Sequence, residues 1–250
     1  MQLFVLTGAS RGLGRAMASP LLGADRTLLT IERKPDPTLV DEARAAGATL
    51  EQWPLDVAHD VGVAARLEAW LSRQSARQFG AATLINNAGA IGTVGPIDLA
   101  RADEIATVLR VGLEAPMNLT AAFLRATATW RCDRRVMNIS SGAGRTAIAG
   151  WAPYCAAKAG LDHFSRVTAL DESRRENGAK IVSLAPGVID TAMQAQLRAA
   201  DAAGFPDQQR FIELHANAQL ASAQSAAAKV LAYLARADFG KNPVADVRDA

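Results

Sequence analysis

A doubly wound α/β fold, with a parallel sheet and helices on both faces, is what this 250-residue chain predicts. Three observations carry that expectation. Short apolar runs alternate with helical patterns along the chain, without repeats or a linker. The first run ends in a glycine-rich turn, Thr7-Gly8-Ala9-Ser10-Arg11-Gly12-Leu13-Gly14, and a helical pattern follows at once. Half of the residues are hydrophobic, enough for one large core in a single domain spanning 1–250.

The run 2–6 reads as a buried strand, and strand, glycine turn and helix together open a dinucleotide-binding βαβ unit. Gly8, Gly12 and Gly14 let the backbone turn tightly and approach a pyrophosphate, with Ser10, Arg11 and Leu13 between them. The helix N-terminus offers that anion unpaired N–H groups. Pro20 falls inside the expected helix, where proline costs roughly 3 kcal/mol, so the helix kinks or stops short. A second strand, 27–31, ends at Glu32-Arg33. A carboxylate there accepts from a ribose 2′-hydroxyl and favours NAD; an arginine pairs with a 2′-phosphate and favours NADP. Both stand side by side here, and Arg11 can reach the same phosphate.

Residues 39–46 read as a helix closed by Gly47. A third strand, 49–55, leads to Asp56-Val57, where the Asp either bonds an adenine amine or caps the next helix. Residues 61–79 have helical spacing. Strand 82–85 ends in Asn86-Asn87-Ala88-Gly89, small enough for a cofactor to lie against, with amides that hold neighbouring backbone. A long helix is expected over 105–128, then a fifth strand, 134–139, that delivers Ser140-Ser141. The helix 151–176 carries Tyr154 and Lys158, four residues apart and so one turn apart on one face. A free phenol titrates at about 10, and an adjacent ammonium is expected to bring it toward the working range. A sixth strand, 180–184, ends in Ala185-Pro186-Gly187-Val188-Ile189-Asp190-Thr191. The stretch 190–217, of mixed polarity with Gly204-Phe205-Pro206 inside it, reads as a mobile cover over the site. A helix over 222–235 and a short strand over 243–247 complete the chain.

Composition excludes several other classes. The formal charge is +2 and no long block of like charge occurs, so no nucleic-acid footprint is expected. Cys132 and Cys155 lack metal or redox spacing and fit free thiols in a reducing compartment. His59, His163 and His215 are scattered, so no metal site is expected. No apolar run is long enough to span a membrane, and the opening run lacks a basic leader. The expected compartment is the cytoplasm. Arg145 reads as a solvent-facing loop charge in preference to a contact for an acidic substrate. Trp151 and Met193 either line a pocket or pack the lid.

Taken together, Thr7-Gly8-x-x-x-Gly12-x-Gly14, Asp56, Asn86-Asn87-Ala88-Gly89, Ser141, Tyr154-x-x-x-Lys158 and Pro186-Gly187 resemble the short-chain dehydrogenase/reductases, a Rossmann-fold family. The resemblance covers about residues 2–191, and Ser141 stands 13 residues before Tyr154, the family's interval. Pro186-Gly187-Val188-Ile189-Asp190-Thr191-x-Met193-Gln194 further resembles the sepiapterin-reductase and benzil-reductase branch. The resemblance implies NAD(P)H lying across the strand ends, NADP preferred and NAD the alternative, with a small carbonyl substrate. It implies that Ser141 bonds the carbonyl oxygen and that Tyr154 gives it a proton. Lys158 would bond the nicotinamide ribose and lower the Tyr154 pKa, while Pro186, Gly187, Val188 and Thr191 hold the carboxamide end. Gly8, Ser10, Arg11, Gly12, Leu13, Gly14, Glu32, Arg33, Asp56, Val57, Asn87, Ala88 and Gly89 would line the rest of the cofactor. No metal is required, and a homodimer or homotetramer is implied.

One position departs from the family pattern: Gly112 stands where an asparagine usually extends the proton relay from Lys158. Gly112 and Pro20 are the support for a second reading, a non-catalytic nucleotide-binding sensor or interaction protein. Retention of Ser141, Tyr154 and Lys158 argues against it. An epimerase or dehydratase on the same fold is a third reading, disfavoured by chain length and glycine spacing.

Overall fold

Alternate residues of each central strand serve opposite faces of one sheet. Leu3, Val5, Leu29, Ile31, Leu84 and Val136 pack into one core, whereas Phe4, Leu6, Leu28, Ile85 and Met137 pack into the other. Strands buried on both faces need helices on both, and a parallel sheet supplies them through its crossovers. The computed structural model describes residues 1–60 and 62–249.

The strands are β1 (Gln2–Thr7), β2 (Arg26–Glu32), β3 (Thr49–Pro54), β4 (Ala81–Asn86), β5 (Asp133–Ile139), β6 (Lys180–Ala185) and β7 (Val244–Asp246). They form one parallel sheet in the order β3-β2-β1-β4-β5-β6-β7. Leu6 pairs with Thr30 on one side and Ile85 on the other, so the carboxyl ends of β1, β2 and β4 lie level. The order reverses between β1 and β4, and a crevice opens at such a switch point.

The helices are α1 (Gly12–Ala18), α2 (Thr38–Ala46), α3 (Val63–Ser72), α4 (Ala102–Leu109), α5 (Ala115–Ala126), α6 (Ala152–Ser173), α7 (Ala192–Arg198), α8 (Gln208–Ala216) and α9 (Ala223–Leu234). Leu13 and Met17 of α1 and Ala226 and Val230 of α9 close one core; Leu67 and Leu71 of α3 and Leu119 and Phe123 of α5 close the other.

Three expectations about helices change. Pro20 stops α1 at Ala18, and Ser19–Leu21 form a 3-10 turn with the proline in its first positions. The helical pattern of 61–79 yields α3 only over Val63–Ser72, then a 3-10 turn at Ala76–Gln78 after the extended Ser75; Val61 lies outside the described residues. The long helix expected over 105–128 is α4 and α5 joined by a π turn, Arg110–Glu114, in which the Ala115 N–H donates to the Arg110 carbonyl. Pro116 has no N–H for the Gly112 carbonyl, and the wider turn precedes it.

Candidate active site

Gly8 and Gly12 sit at φ of +73° and +56°, a region that glycine enters without a Cβ penalty. A Cβ on Gly8 would lie 3.0 Å from Ala88 Cα, and one on Gly14 only 2.0 Å from the Gly8 carbonyl oxygen. Thr7 Oγ1 accepts the backbone N–H groups of Asn87 and Ala88, both at 3.0 Å. Asn87 Nδ2 donates to the carbonyls of Thr7 (3.0 Å) and Gly8 (3.2 Å). The ends of β1 and β4 are thus locked together, with Arg11, Gly12 and Gly89 left exposed around the crevice.

At the end of β2, Glu32 is buried. Its Oε1 accepts from Thr30 Oγ1 (2.9 Å) and Gln52 Nε2 (3.4 Å), and its Oε2 is buried without a partner. Burial pushes this carboxyl above the usual range, against the hydrogen bonds from Thr30 and Gln52. Arg33, the next residue, is exposed. Arg15, absent from the sequence-based site, fastens α1 to the loop after β2 through Asp36 (2.5 Å) and to α2 through Thr38 (3.0 Å) and Glu42. Asp56 Oδ1 accepts the Ala58 N–H at 2.9 Å, so it shapes the turn before α3, with Val57 half-buried beside it.

The two serines after β5 part company. Ser140 points inward and donates to Asp162 Oδ1 at 2.6 Å. Ser141 is half-buried on extended backbone, and its Oγ accepts the Ala143 N–H at 3.2 Å, opening the 3-10 turn Gly142–Gly144. Tyr154 and Lys158 stand one turn apart on α6, 6% and 5% exposed. Lys158 Nζ donates to the Ile139 carbonyl at 2.8 Å and lies 5.6 Å from the centre of the Tyr154 ring. The last residue of β5 therefore holds the lysine, and the serine two residues on meets the tyrosine.

An apolar wall stands behind the phenol. Trp151 stacks on Tyr154 with ring centres 4.2 Å apart and an interplanar angle of 10°. Phe205 and Phe211, from the stretch expected to be the lid, meet Trp151 edge-on at 6.5 and 6.4 Å. Ile91 and Leu197 join this cluster, and Met193 packs against it half-buried. On the far side, Pro186 is buried and Gly187 takes φ +81°. Val188 and Thr191 are half-buried, and Thr191 Cγ2 lies 3.6 Å from where a Gly12 Cβ would stand. The loop after β6 thereby meets the glycine turn across the crevice.

Electrostatics at the centre reverse one expectation. Burial pushes the Tyr154 phenol up to about 12, with the hydrogen bond to Ser141 pulling the other way. Burial also pulls Lys158 down to about 8, against the negative charge of Asp162. Burial, not the neighbouring ammonium, sets the phenol, which stays protonated at neutral pH. Arg145 is also not the free surface charge expected: its Nε donates to Asp162 Oδ2 at 3.1 Å.

A family model described as short chain dehydrogenase matches residues 2–202. The chain belongs to the short-chain dehydrogenase family. Within it, the chain is 34% identical over 244 residues to a benzil reductase, (S)-benzoin forming, of Bacillus cereus, covering 98% of both chains. It is 34% identical over 226 residues to the sepiapterin reductase of Xenopus tropicalis, covering 84% of this chain and 82% of that one. A solved structure of a putative NAD(P)-dependent gluconate 5-dehydrogenase from Beutenbergia cavernae, with bound NADP, superposes with a TM-score of 0.81 at 26% identity, covering 98% of this chain and 94% of that one. The short-chain dehydrogenase chain is an oxidoreductase with a Rossmann-like fold, and no helix among its described residues is long and apolar enough to cross a membrane.

Some participants escaped the sequence reading. Asp162 stands four residues after Lys158, so helix spacing alone could have put it on the same face. Phe205 and Phe211 carried no such signal, because their approach to Trp151 depends on how the 192–217 stretch folds back.

Proposed function

We propose that the chain is an NAD(P)(H)-dependent reductase of small carbonyl compounds, with Ser141, Tyr154 and Lys158 as its catalytic residues. The observation that carries this is the gathering of half-buried Ser141 with buried Tyr154 and Lys158 at the carboxyl edge of a parallel sheet, beside a glycine turn that leaves no room for side chains. A nicotinamide dinucleotide fits the residues present: Gly8 and Gly14 pack the turn against Asn87 and Ala88 with no room for side chains, which leaves the exposed Gly12 backbone open to a pyrophosphate. Asp56, Val57, Asn87, Ala88 and Gly89 would flank its middle, and Pro186, Gly187, Val188 and Thr191 its nicotinamide end. When bound, the group supplies the hydride.

The chain's own residues do the rest. Ser141 Oγ, half-exposed where Ser140 is not, orients the carbonyl oxygen. Tyr154, protonated at neutral pH, donates to that oxygen as charge develops on it. Lys158, anchored on Ile139, supplies a positive charge below the phenol and a donor for the ribose. Trp151, Phe205 and Phe211 exclude water and favour an aromatic or dicarbonyl substrate, in keeping with the benzil reductase relative. The segment 190–217 serves as a lid whose base is pinned by the Ile189–Ala221 bridge. NADP is the preferred cofactor, because exposed Arg11 and Arg33 are available to a 2′-phosphate while Thr30 and Gln52 hold Glu32 inward. The enzyme acts in the cytoplasm as a homodimer or homotetramer.

Nicotinamide-fluorescence titration with NADPH and NADH, followed by a panel of aromatic diketones and ketones, tests the reading. The expected result is tighter NADPH than NADH, a preference that Arg33→Ala erodes, and NADPH oxidation with diketones. Binding of neither cofactor would overturn it.

A further inference from the structure

Asp162 lies on α6 one turn beyond Lys158 and two beyond Tyr154, and is 1% exposed. Its carboxylate gathers donors from three other elements. Oδ1 accepts from Ser140 Oγ at the end of β5 and from Ser183 Oγ of β6, both at 2.6 Å. Oδ2 accepts from Arg145 Nε, in the turn that follows Ser141, at 3.1 Å. Arg145 also donates to the Ala245 carbonyl of β7 at 2.9 Å. The turn lies so close on α6 that a Cβ on Gly144 would stand 2.9 Å from the Lys158 carbonyl and 3.1 Å from Asp162 Oδ2. The charged groups around Asp162 are Lys158 on its own helix and Arg145 on the turn. Behind Arg145 stands Asp246 of β7, 4.0 Å from it and itself paired with Arg248 at 2.6 Å. Ser140 and Ser183 are neutral.

We propose that Asp162, clamped by Arg145, is a positioning residue of the site: it seats the Ser141 turn against α6 and keeps the Lys158 ammonium charged. This rests on the Ser141–Tyr154–Lys158 reading above. Burial draws Lys158 down to about 8, and Asp162 is the charge that opposes the fall. Without that carboxylate the buried ammonium would lose its proton at a lower pH still. Arg145 acts on both groups, holding Asp162 in place and offsetting part of its field at Lys158.

The test is the titration of the Lys158 Cε resonance in protein labelled with 13C-lysine, assigned with Lys158→Arg, for the unmodified chain, Asp162→Asn and Arg145→Gln. Asp162→Asn keeps the side-chain shape and removes the charge, and its midpoint is expected to fall by about one pH unit or more. Arg145→Gln removes the offsetting cation, and its midpoint is expected to rise. Turnover of a diketone with NADPH should mirror this, with the alkaline limb of Asp162→Asn moving to lower pH and that of Arg145→Gln to higher pH. A purely structural role would lower thermal stability and move neither midpoint, and unchanged midpoints overturn the proposal. Should Asp162→Asn not fold, the Arg145→Gln midpoint decides alone, since the Arg145 side chain is 30% exposed and its replacement is tolerable. Absence of turnover in the unmodified chain would count against the reductase reading, whereas the midpoints still decide the role of Asp162.

Discussion

Lys158 is the costliest residue of the site to bury. The residue is 5% exposed, and the hydrogen bond from its ammonium to the Ile139 carbonyl does not replace the water it gave up. The folded value of about 8 lies below the ordinary 10.5. Below pH 8 both folded and unfolded chains carry the proton, and the cost of burial is present in full. Between 8 and 10.5 the unfolded chain holds more proton, so stability rises with pH. Tyr154 has the opposite sign: its phenol, raised from 10.0 to about 12, contributes stability that is lost above pH 10. Unfolding free energies of the unmodified protein and Lys158→Met, compared from pH 7 to pH 10, isolate the lysine. The difference should move in favour of the unmodified protein by on the order of 1–3 kcal/mol across that range. A pH-independent difference would mean that Lys158 is not buried as an ammonium. At this scale the sequence was readable where a spacing carries the chemistry. Tyr154-x-x-x-Lys158 is such a spacing, and so is the interval from Ser141. It was misleading on the phenol, because proximity of a cation is visible in a sequence and depth of burial is not.

The α4–π–α5 segment shows how an element can carry a departure from a family pattern. Gly112 lies in the π turn, and a Cβ there would stand 3.1 Å from Ala157 Cβ, one residue before Lys158. Helix packing at this point is therefore close because both residues are small. The asparagine usual at this position would press α6 away at the lysine. Gly112→Asn is expected to lower both thermal stability and turnover, the overpacking costing about 1–3 kcal/mol. Adding Ala157→Gly should restore part of both, a coupling that a double-mutant cycle measures. A Gly112→Asn variant that is faster than the unmodified protein, and indifferent to Ala157→Gly, would show instead that a missing relay limits the rate. The strands were legible because their apolar runs end in turn chemistry at the sheet's carboxyl edge. The π turn was not, since the 105–128 pattern keeps its apolar period through Pro116 and only the missing N–H hints at a break. The two short helices α7 and α8 were likewise hidden in a stretch of mixed polarity, and Phe205 at 0% exposure is buried only by tertiary contact.

Across the whole molecule, the sheet does one thing for function: it brings distant segments to a single edge. Thr7, Asn87, Ser141 and Gly187 are far apart in the chain, yet each follows or ends a neighbouring strand in the order β1-β4-β5-β6. The parallel order was legible from the alternation of elements, and with it the position of the crevice. The wall of Trp151, Phe205 and Phe211 was not, because it depends on how the 190–217 segment folds back over α6. The central claim is that this assembly reduces a carbonyl through the Tyr154 phenol. Its most direct test is Tyr154→Phe beside the unmodified protein, with a diketone and NADPH, reading turnover and NADPH affinity together. Since a positioned general acid is worth roughly 10²–10⁴ in rate, turnover should fall by at least that much while NADPH affinity stays within a few-fold. Turnover retained in Tyr154→Phe would contradict the account and move the proton transfer to another group.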